Sequence, residues 1–202
     1  MCILVVYTLF YKQNKTMKSE LQKMLAGELY NASDAQLVEM RVKARTLATQ
    51  HNAIPVENAG ARKALLQQLL GKTGQNIDIQ TPYYCDYGAH IYAGENLFMN
   101  FNCIILDCAE VRIGDNVMMG PNVQLYTATH PLQASERIKG PELAYPITIG
   151  NNVWLGGGVI VCPGVTIGDN TTIGSGSVVT KDIPANVFAA GNPCKVIKEL
   201  PA

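Results

Sequence analysis

His130 stands where a run of six-residue units breaks off, in the segment TATHPLQASERIKGPELAYP at residues 127–146, which carries charges and three prolines. A segment of that length is too long for an ordinary corner, and a loop extruded from a rigid scaffold is a common place for function. Pro131 restricts the backbone of the histidine before it. An imidazole in such a place can trade a proton near neutral pH, the work of a general base. A lone histidine is more often structural, but a position at a repeat break beside a long loop favours catalysis. The chain has three histidines, His51, His90 and His130, and their separations lack zinc-ligand spacing. A coiled chain can bring distant residues together, so the spacing weakens a metal reading without closing it. Neither a serine–histidine–acid motif nor a reactive-cysteine setting is visible.

The elements that must position this histidine are repeats. From Ile147 the chain reads ITIGNN, VWLGGG, VIVCPG, VTIGDN, TTIGSG, SVVTKD, and the register extends upstream to VRIGDN, VMMGPN and VQLYTA at 111–128. A six-residue period with a branched residue pointing inward and a Gly/Asn turn predicts a parallel β-helix, about three units closing each coil of about 18 residues. Gly and Asn are expected at the corners because the chain turns there with φ > 0. Such a prism is by itself only a scaffold, so function must come from what interrupts and flanks it.

Ahead of the repeat the pattern is helical. Residues 18–30 place Leu21, Met24, Leu25 and Leu29 on one face, and Ser33-x-x-Gln36 is a capping-box pattern opening a second stripe of Leu37, Met40, Ala44, Leu47 and Ala48. Ala64 to Leu70 suggest a third helix stopped at Gly71. Residues 17–73 are therefore expected to form a small helical cap that plugs one end of the prism and shields its edges. The prism, with its loop at 127–146 and a carboxy-terminal tail, occupies 74–202. Residues 1–16, MCILVVYTLFYKQNKT, hold an apolar run too short to span a bilayer. They read as an extension upstream of Met17.

Across 202 residues, sixteen basic and sixteen acidic side chains cancel, so no net field draws the chain to nucleic acid. A charged fraction of 16% against 48% hydrophobic describes a compact chain with little polar surface, compatible with oligomerisation. Six scattered cysteines without a C-x-x-C pair read as reduced core residues of a cytoplasmic protein.

The stretches AGELYNASDAQLVEMR (26–41), CDYG (85–88), MNFNC (99–103) and THP (129–131) resemble the maltose and galactoside O-acetyltransferases, members of the hexapeptide-repeat acyltransferases. The resemblance covers about residues 17 to 200, cap included. It implies a mainly β fold, a left-handed parallel β-helix with an amino-terminal α-helical cap and one extruded loop. It also implies acetyl-CoA as donor, a small sugar as acceptor, no metal and no membrane, and a homotrimer with sites between subunits. By the same resemblance His130 is the general base for a sugar hydroxyl, with Asn100 and the backbone at Gly156 and Gly157 near the acetyl group. Asp86, Asp107, Arg41 and, less strongly matched, Asp34 would bind the acceptor. Ser175, Thr180, Lys181, Lys195 and Lys198 would bind coenzyme A, lysines serving its phosphates as point charges. Galactoside-type relatives have two acids where this chain has Asp107-Cys108, which leans the expectation toward the maltose type. Trp154 is open between an aromatic wall and a subunit contact. Transfer to another hydroxyl acceptor such as a xenobiotic, a zinc hydratase on the same fold, and a non-catalytic scaffold are the alternatives.

Overall fold

The computed structural model describes residues 17–201, so the amino-terminal extension expected at 1–16 lies outside the described residues. Within them, the six-residue period becomes a three-faced coil. The first face stacks Ile77–Ile79, Leu97–Met99, Met118–Met119, Trp154–Leu155, Thr172–Ile173 and Val187–Gly191 in parallel. The second stacks Tyr83–Cys85, Cys103–Leu106, Gln124–Tyr126, Ile160–Val161 and Val178–Val179, and the third Ile91–Ala93, Val111–Ile113, Ile147–Ile149 and Thr166–Ile167. A strand alternates its side chains, so each short strand sends one or two residues inward. On the first face Ile79, Met99, Met119, Leu155, Ile173 and Ala189 lie in register as one buried column. Stacking identical small units lets each coil bury its apolar edge on the next.

Asn and Gly divide the corners between them. Asn96, Asn116, Asn152, Asn170 and Asn186 all turn with φ near +60°. Their amides form a ladder, Nδ2 of each donating to Oδ1 of the next at 2.7–2.9 Å. Gly94, Gly114, Gly150 and Gly168 are required for another reason. A Cβ on any of them would lie 2.2–2.7 Å from an atom of the following coil. Close approach, not φ > 0, selects glycine at these four places.

The cap holds three main helices, α1 (Glu20–Leu25), α2 (Ala35–Ala53) and α3 (Ala59–Leu69). The first is shorter than expected, because Gly27 turns at φ +69° and Tyr30 leaves to pair elsewhere. The true capping box is Ser19 with Gln22, while α2 is capped by Asp34, not Ser33. The cap closes the exposed end of the coil by satisfying backbone groups on all three faces. The Asn52 side chain accepts from Tyr83 N–H and donates to Tyr83 C=O, both at 2.9 Å. Arg62, buried, donates to Ile79 C=O at 2.6 Å, and Lys72 exchanges backbone bonds with the Ile91–Ala93 strand. Unpaired edge groups would otherwise invite strand addition.

The interruption at 127–146 leaves the corner after the second face and returns to the third. Its base is an antiparallel pair, Ala128–Thr129 with Leu143–Ala144, and it carries one short turn of helix, α4 (Ala134–Arg137). Val111 pairs with Ile147 as though the loop were absent.

Candidate active site

The strand register decides which candidate residues meet. After the first face the chain turns at a corner where Asn100, Gly120, Gly156 and Gly174 succeed one another, each donating its N–H to the carbonyl that precedes the next corner residue. Phe101, Pro121, Gly157 and Ser175 form the adjoining column. Lys195, in the hairpin strand Cys194–Glu199, pairs with Ala190 at the end of the same edge. Asn100, Gly156, Gly157, Ser175 and Lys195 thus share one edge of the prism, and Lys198, opposite Phe188, stands nearby on the first face.

Two details refine that edge. The N–H of Gly156 is committed to Ile173 C=O at 2.8 Å, so it cannot serve an oxyanion. The N–H of Gly157 has no backbone acceptor among the described residues and remains the donor on offer. Ser175 presses on Gly156 so closely that a Cβ there would come within 2.6 Å of its nitrogen. The Asn100 Oδ1 accepts from Phe101 N–H at 2.7 Å, which fixes the amide and presents its Nδ2 as a donor. Donors held by ladder geometry, rather than by mobile side chains, are what a developing negative charge needs.

The second edge, after the second face, holds the remaining candidates. Asp86, Leu106, Tyr126, Cys162 and Thr180 follow one another, with Lys181 in the next column and the loop base at Thr127. Thr180 and Lys181 are therefore not on the edge with Ser175 and Lys195. His130 is exposed, three residues beyond Thr127, whose hydroxyl donates to Leu106 C=O and accepts from Ala109 N–H. The two edges are separated by the width of a face, roughly 20 Å of extended chain for six residues.

Asp107, one of the residues expected to face the acceptor, lies inside the turn. It is wholly buried, and its carboxylate accepts N–H bonds from Asp86 at 3.1 Å, Tyr87 at 2.8 Å and His90 at 3.3 Å. Burial pushes its carboxyl up to about 6 against the pull of those donors. The His90 ring donates from Nδ1 to Asp107 C=O at 2.7 Å, so this histidine braces the same turn. Asp86 is what the turn presents. Its side chain is 15% exposed and pairs with Arg45 at 3.0 Å, beside a cleft of about 360 Å³ lined by Arg45, Thr49, Asn52, Tyr84 and Asp86.

Arg41 donates to Tyr87 Oη at 2.7 Å and to Ala32 C=O at 2.6 Å, with its guanidinium over the Tyr87 ring. Asp34 spends one oxygen capping α2, accepting from Gln36 and Leu37 N–H. Arg45 and Tyr87 were not among the expected residues. Arg45 lies one helical turn after Arg41, an i,i+4 spacing that marks a shared face of α2.

The five described cysteines are free, and burial pushes the Cys103 thiol up to about 11 and Cys108 to about 12. Thiols so disposed are poor nucleophiles at neutral pH. Among the described residues His51 and His90 are buried apart from the exposed His130, and no helix is long and apolar enough to cross a membrane.

The chain is similar to known proteins over most of its length. Residues 23–74 match the maltose acetyltransferase hexapeptide capping motif, and residues 146–181 match the bacterial transferase hexapeptide model of six repeats. The galactoside O-acetyltransferase of Escherichia coli is 44% identical over 179 residues, 89% of this chain and 88% of its own. Nodulation protein L of Rhizobium meliloti is also 44% identical, over 89% of this chain and 98% of its own. The crystal structure of a maltose O-acetyltransferase from Clostridium difficile superposes with a TM-score of 0.91 at 49% identity, covering 92% of this chain and 99% of that one. A galactoside acetyltransferase in complex with coenzyme A gives 0.86 at 40% identity, covering 92% of both chains. The chain belongs to the maltose and galactoside O-acetyltransferase family of hexapeptide-repeat acetyltransferases.

Proposed function

We propose that the protein is an acetyl-CoA-dependent O-acetyltransferase for a hydroxyl of a small sugar such as glucose or maltose, working as a cytoplasmic homotrimer. The observation that carries this reading is the separation of the site into two edges. Donors suited to an acetyl carbonyl, Asn100 Nδ2 and Gly157 N–H, lie on one edge, while His130 and Asp86 lie on the other. A base and an oxyanion donor must meet within hydrogen-bond reach of one thioester. A head-to-tail ring of copies lays the first edge of one chain against the second edge of the next, completing a site at each junction. Phe98, Met118 and Trp154, 36–51% exposed, form an apolar row facing outward on the first face, where such packing would cover them. Buried free cysteines fit a reducing compartment.

In this scheme an imidazole nitrogen of His130 takes the proton from the acceptor hydroxyl as its oxygen attacks the thioester carbon. The oxyanion rests on Gly157 N–H and Asn100 Nδ2. Collapse breaks the C–S bond, and the imidazolium returns its proton to the departing thiolate. Base assistance supplies a factor of roughly 10²–10⁴. Transfer is direct, burial holding the described Cys103 and Cys108 thiols protonated at neutral pH. Asp86, fixed by Asp107 and Arg45, and Arg41 face the acceptor. Ser175, Lys195 and Lys198 hold the coenzyme A of their own edge, and Thr180 and Lys181 reach it from the neighbouring chain.

Two measurements test the proposal. An acceptor screen with acetyl-CoA, read by thiol release, should find turnover on glucose-type sugars, and turnover only on unrelated hydroxyl compounds would overturn the sugar reading. Co-expression of inactive His130→Ala and Asn100→Ala chains should restore activity to about a quarter of wild type, because random rings pair intact edges at one junction in four. No recovery in mixed oligomers would place the whole site within one chain.

A further inference from the structure

His51 lies where the cap meets the open end of the coil, and no step of the proposed transfer uses it. It stands in the last turn of α2 and is wholly buried. Neither ring nitrogen has a hydrogen-bond partner among the described residues, and none of the ion pairs there includes it. Such a place accepts a neutral imidazole and rejects an imidazolium, whose charge and second N–H would go unpaired. Two of the contacts that clamp the cap to the coil flank it. Asn52, the next residue, holds the backbone of Tyr83, and Arg62 of α3 holds Ile79 C=O.

The charges around the ring are few. Residues 46–56 carry no other charged side chain. From α3 comes Arg62, 6% exposed and in none of those ion pairs, a permanent cation that repels a second one. Lys63 follows it, on the rim of a cleft of about 340 Å³ between α3 and the first strand, lined also by Val56, Leu66, Ile77 and Gln80. From the first strand comes Asp78, the acid that favours the charged ring. It is exposed, and its two oxygens accept from Gln80 Nε2 at 2.8 and 2.9 Å. Tyr83, from the second face, is buried with its hydroxyl likewise unpartnered among the described residues. Burial is the largest influence on His51 and, with Arg62, holds its midpoint below 6.5 against the pull of Asn52 and Asp78.

We propose that His51 is a pH-operated latch between cap and coil. Neutral, it stays closed between the Asn52 and Arg62 clamps; on taking a proton from solvent it turns outward and carries α3 and the last turns of α2 off the coil. A buried histidine with a lowered midpoint contributes stability that is complete above its unfolded value, about 6.5, and is lost as pH falls through the folded one. The cap is therefore closed at neutral pH and loosens below about 6.5, its opening constant rising by up to about tenfold per pH unit for the one proton. The coil takes no part in the event, because its strands pair with one another. The same helix, α2, carries Arg41 and Arg45, which hold Tyr87 and Asp86. Opening thus disarms the acceptor side and leaves the coenzyme A edge standing, a consequence that rests on the proposed role of Asp86.

The test is backbone hydrogen exchange in the full chain between pH 7.5 and 5.0, corrected for the intrinsic rate at each pH. Peptides from residues 47–69 should open more readily by up to about tenfold per pH unit below about 6.5, while peptides from residues 147–179 keep their protection. In His51→Phe, apolar and of similar bulk, the acid loosening of residues 47–69 should vanish. His51→Gln, neutral at every pH, should lose it too and carries the comparison if the phenylalanine variant does not fold. A wild-type cap as protected at pH 5.0 as at pH 7.5 overturns the inference with no variant needed. Coil exchange that rises in step with the cap also overturns it, since that event is global unfolding. So does a folded variant of either kind whose cap loosens with acid as wild type does. Exchange is read without acceptor or coenzyme, so failure of the acceptor reading leaves the test of the latch intact.

Discussion

Asn116 donates its side-chain amide to Asn152 at 2.9 Å across 36 residues, and Asn152 donates to Asn170 at 2.8 Å across 18. The coil thus closes identically with and without the extruded loop. Scaffold and catalytic apparatus are separable in this chain, and exchange of Leu132–Lys139 for a short Gly-Ser linker should preserve the β-rich circular dichroism. Acetyl transfer should fall by at least tenfold, because the loop base that carries His130 loses its constraint. A loop-exchanged protein that unfolds would contradict the separation.

The asparagine ladder combines a left-handed backbone with a side-chain bond in each direction. Asn152→Ala should destabilise by about 2–3 kcal/mol, from αL strain and lost hydrogen bonds together. Asn152→Gly keeps only the second cost and should lose about 1 kcal/mol. Denaturant midpoints of the two variants separate the contributions, and equal losses would dismiss the strain argument.

Asp107 gives a pH signature. Its folded carboxyl is raised to about 6 from an unfolded value near 3.8, so the folded state holds the proton more tightly. The stability it contributes is present below about 3.8 and is lost as pH rises through about 6. The stability of wild type minus that of Asp107→Asn should therefore decline between pH 4 and 6. A difference that climbs over that interval would mean the three backbone donors outweigh burial.

The repeat, the cap and the loop were legible because each is a periodicity or its interruption. Nine hexads set nine of the strands, and alternation decides which side chains turn inward. What the sequence concealed depends on register between coils. Nothing local distinguishes Asp107 from Asp86, yet one is consumed by the turn and the other displayed by it. Gly156 and Gly157 are adjacent and alike, but the ladder takes the N–H of the first alone. Tyr30 reads as the end of a helix; its pairing with Glu142, 112 residues away, is a tertiary fact. Gly corners were expected for their φ, whereas Gly94, Gly114, Gly150 and Gly168 answer to crowding by the next coil.

Lys195 ends the edge that carries Asn100 and Ser175, and Lys198 lies on the same hairpin strand. Replacing both by Ala should raise the KM for acetyl-CoA several-fold, with a smaller change for the acceptor. Loss of two exposed cations should also flatten the salt dependence of that KM. Steady-state kinetics at two ionic strengths checks both, and an unchanged acetyl-CoA KM would remove these lysines from the cofactor site.

The proposed catalysis turns on His130, and the most direct measurement is single-turnover and steady-state transfer by His130→Ala on a good sugar acceptor. A base that acts in the transition state contributes little to ground-state binding. The variant should therefore fold, bind acetyl-CoA with near wild-type Kd, and lose roughly 10²–10⁴ in kcat along with the acidic limb of its pH profile. A folded His130→Ala protein that transfers acetyl at close to the wild-type rate would contradict the account.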